Sequence, residues 1–366
     1  MHAERFRRVV SAEGPFASVY FEDSHDTEDA AKQRELTWRS LRESLDDQGA
    51  PEVVLAALEK AVLEGPPAVG RSGRGLVAAA DHVVLDQHLV RPPAQQEARY
   101  SEMPYLVPVI EHVTATPYLL VAVDHEGADI SIRDTEGHLV SSETVERGEY
   151  PVHKAAGAET AGYGDPQPQA EEAARRNIAA VADRVTALID GHVAEPVFVI
   201  GETRSRADFL EALPERARAI AVPLEGGARA AGSGADAVED ELDAELARRR
   251  LAVIDGAAQR FRAETGRGSG LAVEGLDHVC AALRAGSVDT LIIGDLGPRT
   301  VLVGDDPTSV AVDADQLSEL GSSQAVPQPA DEALPFAAIA NASVLIRTDE
   351  RITPADGCAA LLRFAS

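Results

Sequence analysis

The sequence predicts an α/β protein built of three α/β domains, and three observations predict it. Short apolar runs with the length of strands alternate along the chain with longer stretches in which apolar residues recur at three- and four-residue spacing. A run rich in Gly, Ala and Ser, residues 225–234, has the composition of a flexible linker, and the strand pattern restarts near Thr116. With 366 residues the chain is long enough for two or three domains, each burying its own core. The expected domains are 1–112, 113–228 and 236–366.

In the first domain, residues 16–21 read as a strand, followed by an acidic stretch and a helix over 30–45 with Leu36, Leu41 and Leu45 on one side. Gln48-Gly49-Ala50-Pro51 breaks that helix, and a second runs over 52–63. Strands are expected at 76–80 and 83–89. Between helix and strands lies Gly70-Arg71-Ser72-Gly73-Arg74-Gly75, which superficially looks like a phosphate loop. It lacks the Lys-Ser/Thr pair and precedes a strand rather than a helix, so a plain surface loop is the better reading.

The second domain opens with three strands, 118–124, 128–134 and 138–145. A loop over residues 155–169, rich in Gly, Pro and Gln, runs into a helix over 170–192. In that helix Ile178, Val181, Val185, Leu188 and Ile189 keep helical spacing, and Glu171 and Glu172 sit in the first turn, where the helix dipole favours acids. The loop is longer than most connections in a compact domain, and such loops are functional or disordered. An apolar strand at 196–201 and a helix-then-strand repeat through Pro223 follow.

Beyond the linker, residues 236–264 carry a helical pattern with Leu242, Leu246, Leu251 and Ile254 apolar. A helix over 272–285, strands at 290–294 and 300–303, a helix near 331–341 and strands at 344–347 and 360–364 complete an expected α/β/α sandwich.

Charge narrows the function classes. The net charge is −27, and each third of the chain is acidic, which opposes non-specific nucleic-acid binding because phosphate attraction supplies most of that affinity. RNA contacts would have to come from small local clusters: Arg71 with Arg74, His153 with Lys154, Arg175 with Arg176, or Arg248 to Arg250. Cys280 and Cys358 lie on apolar segments without metal-like spacing and read as buried free thiols. No metalloprotease, Cys-x-x-Cys or nucleophile-elbow motif occurs, so neither metal nor cofactor is expected. Acidic pairs such as Asp305-Asp306 read as solvated faces. There is no apolar run of membrane-spanning length and no signal-peptide core at the N-terminus, so a cytoplasmic protein with no membrane partner is expected.

The order of three strands, a Gly- and Gln-bearing loop, a long Arg-containing helix and then PVFVIGETRSRADFLEALPERARAIAVP resembles the middle domain of archaeal and eukaryotic peptide-chain release factors and of Pelota. GLAVEGLDHVCAALRAGSVDTLIIGD resembles their C-terminal domain. The resemblance covers almost the whole chain and is weakest in the first hundred residues. It extends to the bacterial release-factor-like group that includes the hibernation factor Balon, whose mycobacterial type looks most similar.

In release factors the loop carries Gly-Gly-Gln, which directs water onto the peptidyl-tRNA ester. Here the matching positions read Gly162-Tyr163-Gly164-Asp165-Pro166-Gln167, and the triplet is absent. The family's stop-codon reader, Asn-Ile-Lys-Ser at a helical hairpin tip, is matched by Asp46-Asp47-Gln48-Gly49-Ala50-Pro51. The resemblance therefore implies a non-enzymatic hibernation or stress factor in the A site of idle ribosomes. The expected partners are ribosomal RNA of the decoding and peptidyl-transferase centres, and elongation factor Tu through the C-terminal domain.

Loop residues Gly162, Tyr163, Gly164, Asp165, Pro166, Gln167 and Gln169 would meet ribosomal RNA, with His153, Lys154, Arg175, Arg176, Arg71 and Arg74 as candidate phosphate contacts. The alternatives are a peptidyl-tRNA hydrolase or rescue factor using Gln167 or Gln169, and an interaction or small-ligand module unrelated to ribosomes.

Overall fold

Six of the seven residues of the strand Phe16–Glu22 are buried, and the reason is that both faces of its sheet are covered. In the computed structural model, which describes residues 6–24, 30–65, 72–89, 92–113, 117–134, 139–146, 166–191, 193–225, 235–348 and 351–365, the first elements are helix α1 (Arg7–Ser11) and this strand, β1. Helices α2 (Ala30–Asp47) and α3 (Glu52–Glu64) form a hairpin over one face, and strands β2 (Gly73–Ala79), β3 (His82–Leu89) and β4 (Glu97–Ser101) complete an antiparallel sheet in the order β3-β2-β1-β4. Alternate side chains of β1 part to the two faces. Ala17, Val19 and Phe21 pack with Trp38, Leu41, Leu55 and Leu58 of the hairpin, whereas Phe16 and Tyr20 enter a second core.

That second core is continuous with the C-terminal part of the chain. It takes in Phe6, Tyr105 and Ile110, the last from helix α4 (Val107–Val113), together with Leu283, Leu291, Leu334 and Leu345. The chain accordingly divides into two compact units, Met1–Thr114 with Leu251–Ser366, and Ala115–Arg250. The three expected domains are building blocks read from sequence, and the first and third of them share one apolar core.

The second unit begins with β5 (Tyr118–Val123), β6 (Gly127–Arg133) and β7 (Leu139–Glu146). Helix α5 (Pro166–Asp190) follows, then β8 (Val197–Gly201), α6 (Thr203–Ala212), α7 (Glu215–Arg218) and β9 (Ala221–Pro223). The sheet order is β7-β6-β5-β8-β9, with β5, β8 and β9 parallel. Ile178, Val181, Val185, Leu188 and Ile189 bury their expected face of α5 against this sheet.

Helix α8 (Ala235–Arg267) carries Val238 and Leu242, which pack with Tyr118 and Phe198, while its later residues Ala258 and Phe261 pack with Ile292 and Leu361. The remaining elements are β10 (Ala272–Glu274), α9 (Leu276–Arg284), β11 (Val288–Ile293), β12 (Thr300–Val303), β13 (Val310–Ala311), α10 (Ala314–Glu319), β14 (Val326–Pro329), α11 (Ala330–Ala340), β15 (Val344–Arg347) and β16 (Cys358–Leu362). They make a four-stranded sheet, β10-β16-β11-β15, and a small three-stranded one, β13-β12-β14. Along β11, Leu291 and Ile293 face the core of α9 and α11, and Ile292 faces α8, so helices cover both sides of the sheet.

Four sequence expectations are corrected. Helix α5 begins at Pro166, not residue 170, because Pro166 and Pro168 fall in the first turn, where the missing N–H groups would have had no intrahelical partner. Gly73, Arg74 and Gly75 are strand, not loop, since ladder pairing to both β1 and β3 overrides the weak strand propensity of glycine. Gly275, at φ +85, separates β10 from α9 where one helix was expected. Leu251 of α8 is exposed, because it falls between the stretch of the helix that packs with Tyr118 and Phe198 and the stretch that packs with Ile292 and Leu361. Both cysteines are buried and free, and burial pushes each thiol up to about 12, far from a reactive thiolate. Among the described residues no helix is long and apolar enough to cross a membrane.

Candidate functional site

The site is the base of α5, where the chain leaves residues 155–165 and enters the helix. The apolar stripe of α5 fixes its rotation, so the residues between stripe positions face solvent. Arg175 and Arg176 are both exposed there. Arg175 donates from Nη2 to Glu172 Oε2 at 2.8 Å, an i,i+3 pair. Arg176 donates from Nε to the Glu172 carbonyl at 3.3 Å and has no carboxylate partner among the described residues. An exposed pair of this kind contributes about 0.3–0.5 kcal/mol, too little to hold Arg175 against a phosphate.

Asn177, next in the chain, is buried and donates from Nδ2 to the His125 carbonyl at 3.3 Å. That bond ties α5 to the β5–β6 turn. The turn is itself closed by Asp124 Oδ1, which accepts the N–H groups of Glu126 and Gly127 at 2.7 and 2.9 Å. Two turns on, Arg184 holds Glu143 of β7 with two hydrogen bonds of 2.7 and 3.0 Å, and Arg216 holds Asp190 in the same way at 3.1 and 2.8 Å. The result is a braced helix that presents Arg175 and Arg176 outward, as its tenth and eleventh residues.

The predicted residues fare differently. Gly162, Tyr163, Gly164, Asp165, His153, Lys154 and Arg71 lie outside the described residues. Pro166, Gln167 and Gln169 belong to the first turn of α5 rather than to a loop. Arg74 is not a phosphate contact. It is wholly buried, with Nε and Nη2 donating to Asp86 at 2.9 and 2.7 Å and Nη1 3.9 Å from the buried Asp23 carboxylate. Arg248 and Arg249 both pair with Glu245, and the Arg249 guanidinium sits 5.9 Å from the Phe198 ring, so this cluster serves the fold. The hairpin tip is likewise committed: Gln48 donates to the Ala98 carbonyl and accepts the Tyr100 N–H, each at 2.9 Å, which pins the tip to β4. Sequence reasoning missed Asn177, whose only local signal is a polar residue between apolar stripe positions. Among the described residues no group of three or more His, Cys, Asp or Glu is placed to hold a metal ion.

Comparison with known proteins places the chain in a family. Residues 117–267 match the model of bacterial archaeo-eukaryotic release factor family 2. Over 367 aligned residues, covering 100% of this chain and 98% of the relative, the sequence is 49% identical to the uncharacterized protein Rv2629 of Mycobacterium tuberculosis. The chain belongs to the bacterial archaeo-eukaryotic release factor family.

Among solved structures, this family member is 9% identical to Saccharomyces cerevisiae Dom34, described as a translation termination-like factor involved in RNA quality control and interacting with Hbs1. The match covers 81% of this chain and 80% of Dom34 at a TM-score of 0.41. Archaeoglobus fulgidus Pelota is 12% identical over 100% of this chain and 92% of its own, at a TM-score of 0.35. Likeness at these scores bears on neither the site nor the activity of this release-factor relative.

Proposed function

We propose that the protein is a ribosome-binding factor that occupies the A site of idle ribosomes, as a hibernation or stress factor, and does not release peptide. The observation that carries this reading is family membership combined with Gly162-Tyr163-Gly164-Asp165-Pro166-Gln167 at the positions of Gly-Gly-Gln. Tyr163 and Asp165 add bulk and charge where the family's loop brings bare backbone to the ester. Gln167 and Gln169 occur in the first turn of a helix, and this supports a structural rather than a hydrolytic role for them.

In this reading the domain 113–228 enters the peptidyl-transferase side, 1–112 faces the decoding centre, and 236–366 meets a translational GTPase, elongation factor Tu, in the cytoplasm. Loop residues Gly162, Tyr163, Gly164 and Asp165 approach ribosomal RNA. His153 and Lys154 before the loop, Arg71, and Arg175 and Arg176 after it contact phosphates. Asn177 positions the two arginines by locking the helix to the β5–β6 turn. In a strongly acidic chain such a local cluster has to supply the attraction that the molecule as a whole lacks.

The test is formyl-methionine release from programmed ribosomes beside ribosome binding in the same preparation. Binding without release is the expected result. Release at a factor-like rate would establish the competing reading, a peptidyl-tRNA hydrolase or rescue factor acting through Gln167 or Gln169.

A further inference from the structure

The unit formed by Met1–Thr114 and Leu251–Ser366 contains a cleft of about 920 Å³ that the release-factor reading leaves unused. It opens at the carboxyl ends of β11 and β15, which pair in parallel from Thr290↔Val344 to Ile293↔Arg347. The volume lies in the range of small-molecule sites.

The walls are charged and built. On one side the Arg99 guanidinium lies 3.5 Å over the Tyr105 ring and donates to Asp331 at 2.9 Å. On the other side Arg299 donates from Nη1 to the Leu296 carbonyl at 2.8 Å, with Nε 3.8 Å from Asp356 Oδ1. The second Asp356 oxygen accepts the Leu276 N–H at 3.2 Å. Arg347 stands exposed at the end of β15. The two loops that follow β11 and β15 are stitched together: Gly294 donates to the Gly357 carbonyl and Thr348 to that of Ile293, both at 2.8 Å. Gly357, at φ +79, leaves no room for a Cβ, which would fall 2.1 Å from the Asp295 carbonyl oxygen. Asp356 adopts a left-handed φ of 55, a conformation costly for a non-glycine residue and concentrated at binding sites.

Arg99 holds Asp331, and Asp295 Oδ1 accepts the Gly297 N–H at 2.9 Å, so these two acids are engaged by the wall itself. Arg299 and Arg347 carry forks suited to bidentate contact with a phosphate. Asp356 and the Tyr105 hydroxyl are suited to hydroxyl groups.

We propose that this cleft binds a small phosphorylated ligand bearing free hydroxyls, a sugar phosphate or a nucleotide, with Arg299 and Arg347 as its phosphate contacts and Asp356 with Tyr105 as its hydroxyl contacts. The site is independent of ribosome binding.

Thermal-shift titration of the full chain tests it with ribose 5-phosphate, AMP and GMP as probes, and ribose, adenosine, inorganic phosphate and citrate as controls. At least one phosphorylated probe raises Tm at millimolar concentration, and ribose and adenosine do not. R347A and R299A each weaken that apparent affinity about tenfold, the loss expected for a charge-assisted contact. R184A, on the other unit, leaves it unchanged. Should R299A fail to fold, the exposed R347A decides alone. No shift with any phosphorylated probe, equal affinity of R347A and the parent, or equal shifts from citrate or inorganic phosphate would each overturn the assignment.

Discussion

Replacing Arg99 with alanine should loosen the joint between the first and last parts of the chain. Arg99, on β4, reaches across the sequence to α11: Nη1 donates to Asp331 Oδ2 at 2.9 Å and to Glu332 Oε1 at 3.3 Å, while Nε and Nη2 hold Glu97 at 2.8 and 2.7 Å. Burial works against the arginine's charge, yet the Asp331 and Glu97 hydrogen bonds and charges hold its pKa above the usual value. The Glu332 side chain is only 2% exposed, so removing Arg99 strands a buried carboxylate. Breaking a buried pair costs about 3–5 kcal/mol, and the partial exposure of Arg99 and Asp331, 29% and 19%, argues for the lower end, about 3 kcal/mol.

For a unit of this size that is a Tm loss of roughly 6–12 °C. Adding Glu332→Gln to Arg99→Ala removes the stranded charge and should restore part of the loss, a non-additive result that marks direct coupling. The assay is thermal unfolding of both single variants and the double variant at neutral pH. A loss under about 2 °C, or strict additivity, would refute the view that this pair joins the two segments.

Glu332 also sets a pH dependence. Burial raises its pKa, so the folded state holds the proton more tightly than the unfolded chain; its contribution is favourable below the ordinary carboxylate value and is lost as pH rises through the raised one. The Tm of the parent minus that of Glu332→Gln is therefore expected to fall as pH rises above the ordinary carboxylate range, and a difference that rises with pH would be wrong for this mechanism. Gly75→Val should cost about 1–3 kcal/mol, because a Cβ there would lie 2.6 Å from the ring of the fully buried Tyr20, whose hydroxyl is fixed on the Tyr105 carbonyl; urea unfolding measures it, and a neutral effect would mean the sheet can yield. Limited proteolysis is expected to cut first between Gly226 and Asp236, in the Gly/Ala/Ser run, and first cuts within 120–145 or 288–303 would contradict the proposed domain division.

Much of the fold was legible because burial is periodic. The strands at residues 16–22, 118–123 and 288–293 are apolar runs, and α5 announces itself through Ile178, Val181 and Val185. What local pattern could not reveal was partnership at a distance. Arg74 sits in a Gly-rich stretch that reads as an exposed loop, and only the strand register brings it to Asp86 and Asp23 beneath the sheet. The shared core of Phe6 to Ile110 with Val279 to Leu362 depends on contacts across more than half the chain, which no local pattern shows. Asn177 went unnoticed for the same reason: its carbonyl partner, His125, belongs to another element. At α5 the error was local. Two prolines look like loop but are compatible with the first turn of a helix.

The central claim, an acidic protein holding the ribosome through a small cationic site, is tested most directly by sucrose-gradient co-sedimentation with 70S ribosomes across a salt series, for the parent and for R175E/R176E. The parent is predicted to travel with the ribosomes at low salt and to dissociate as salt rises, with a log–log slope of roughly 0.7–0.9 per phosphate engaged. The double variant is predicted to bind more weakly with a shallower slope, while its Tm stays within about 2 °C of the parent, since both side chains are exposed. A parent chain that remains at the top of the gradient at every salt concentration would contradict the account.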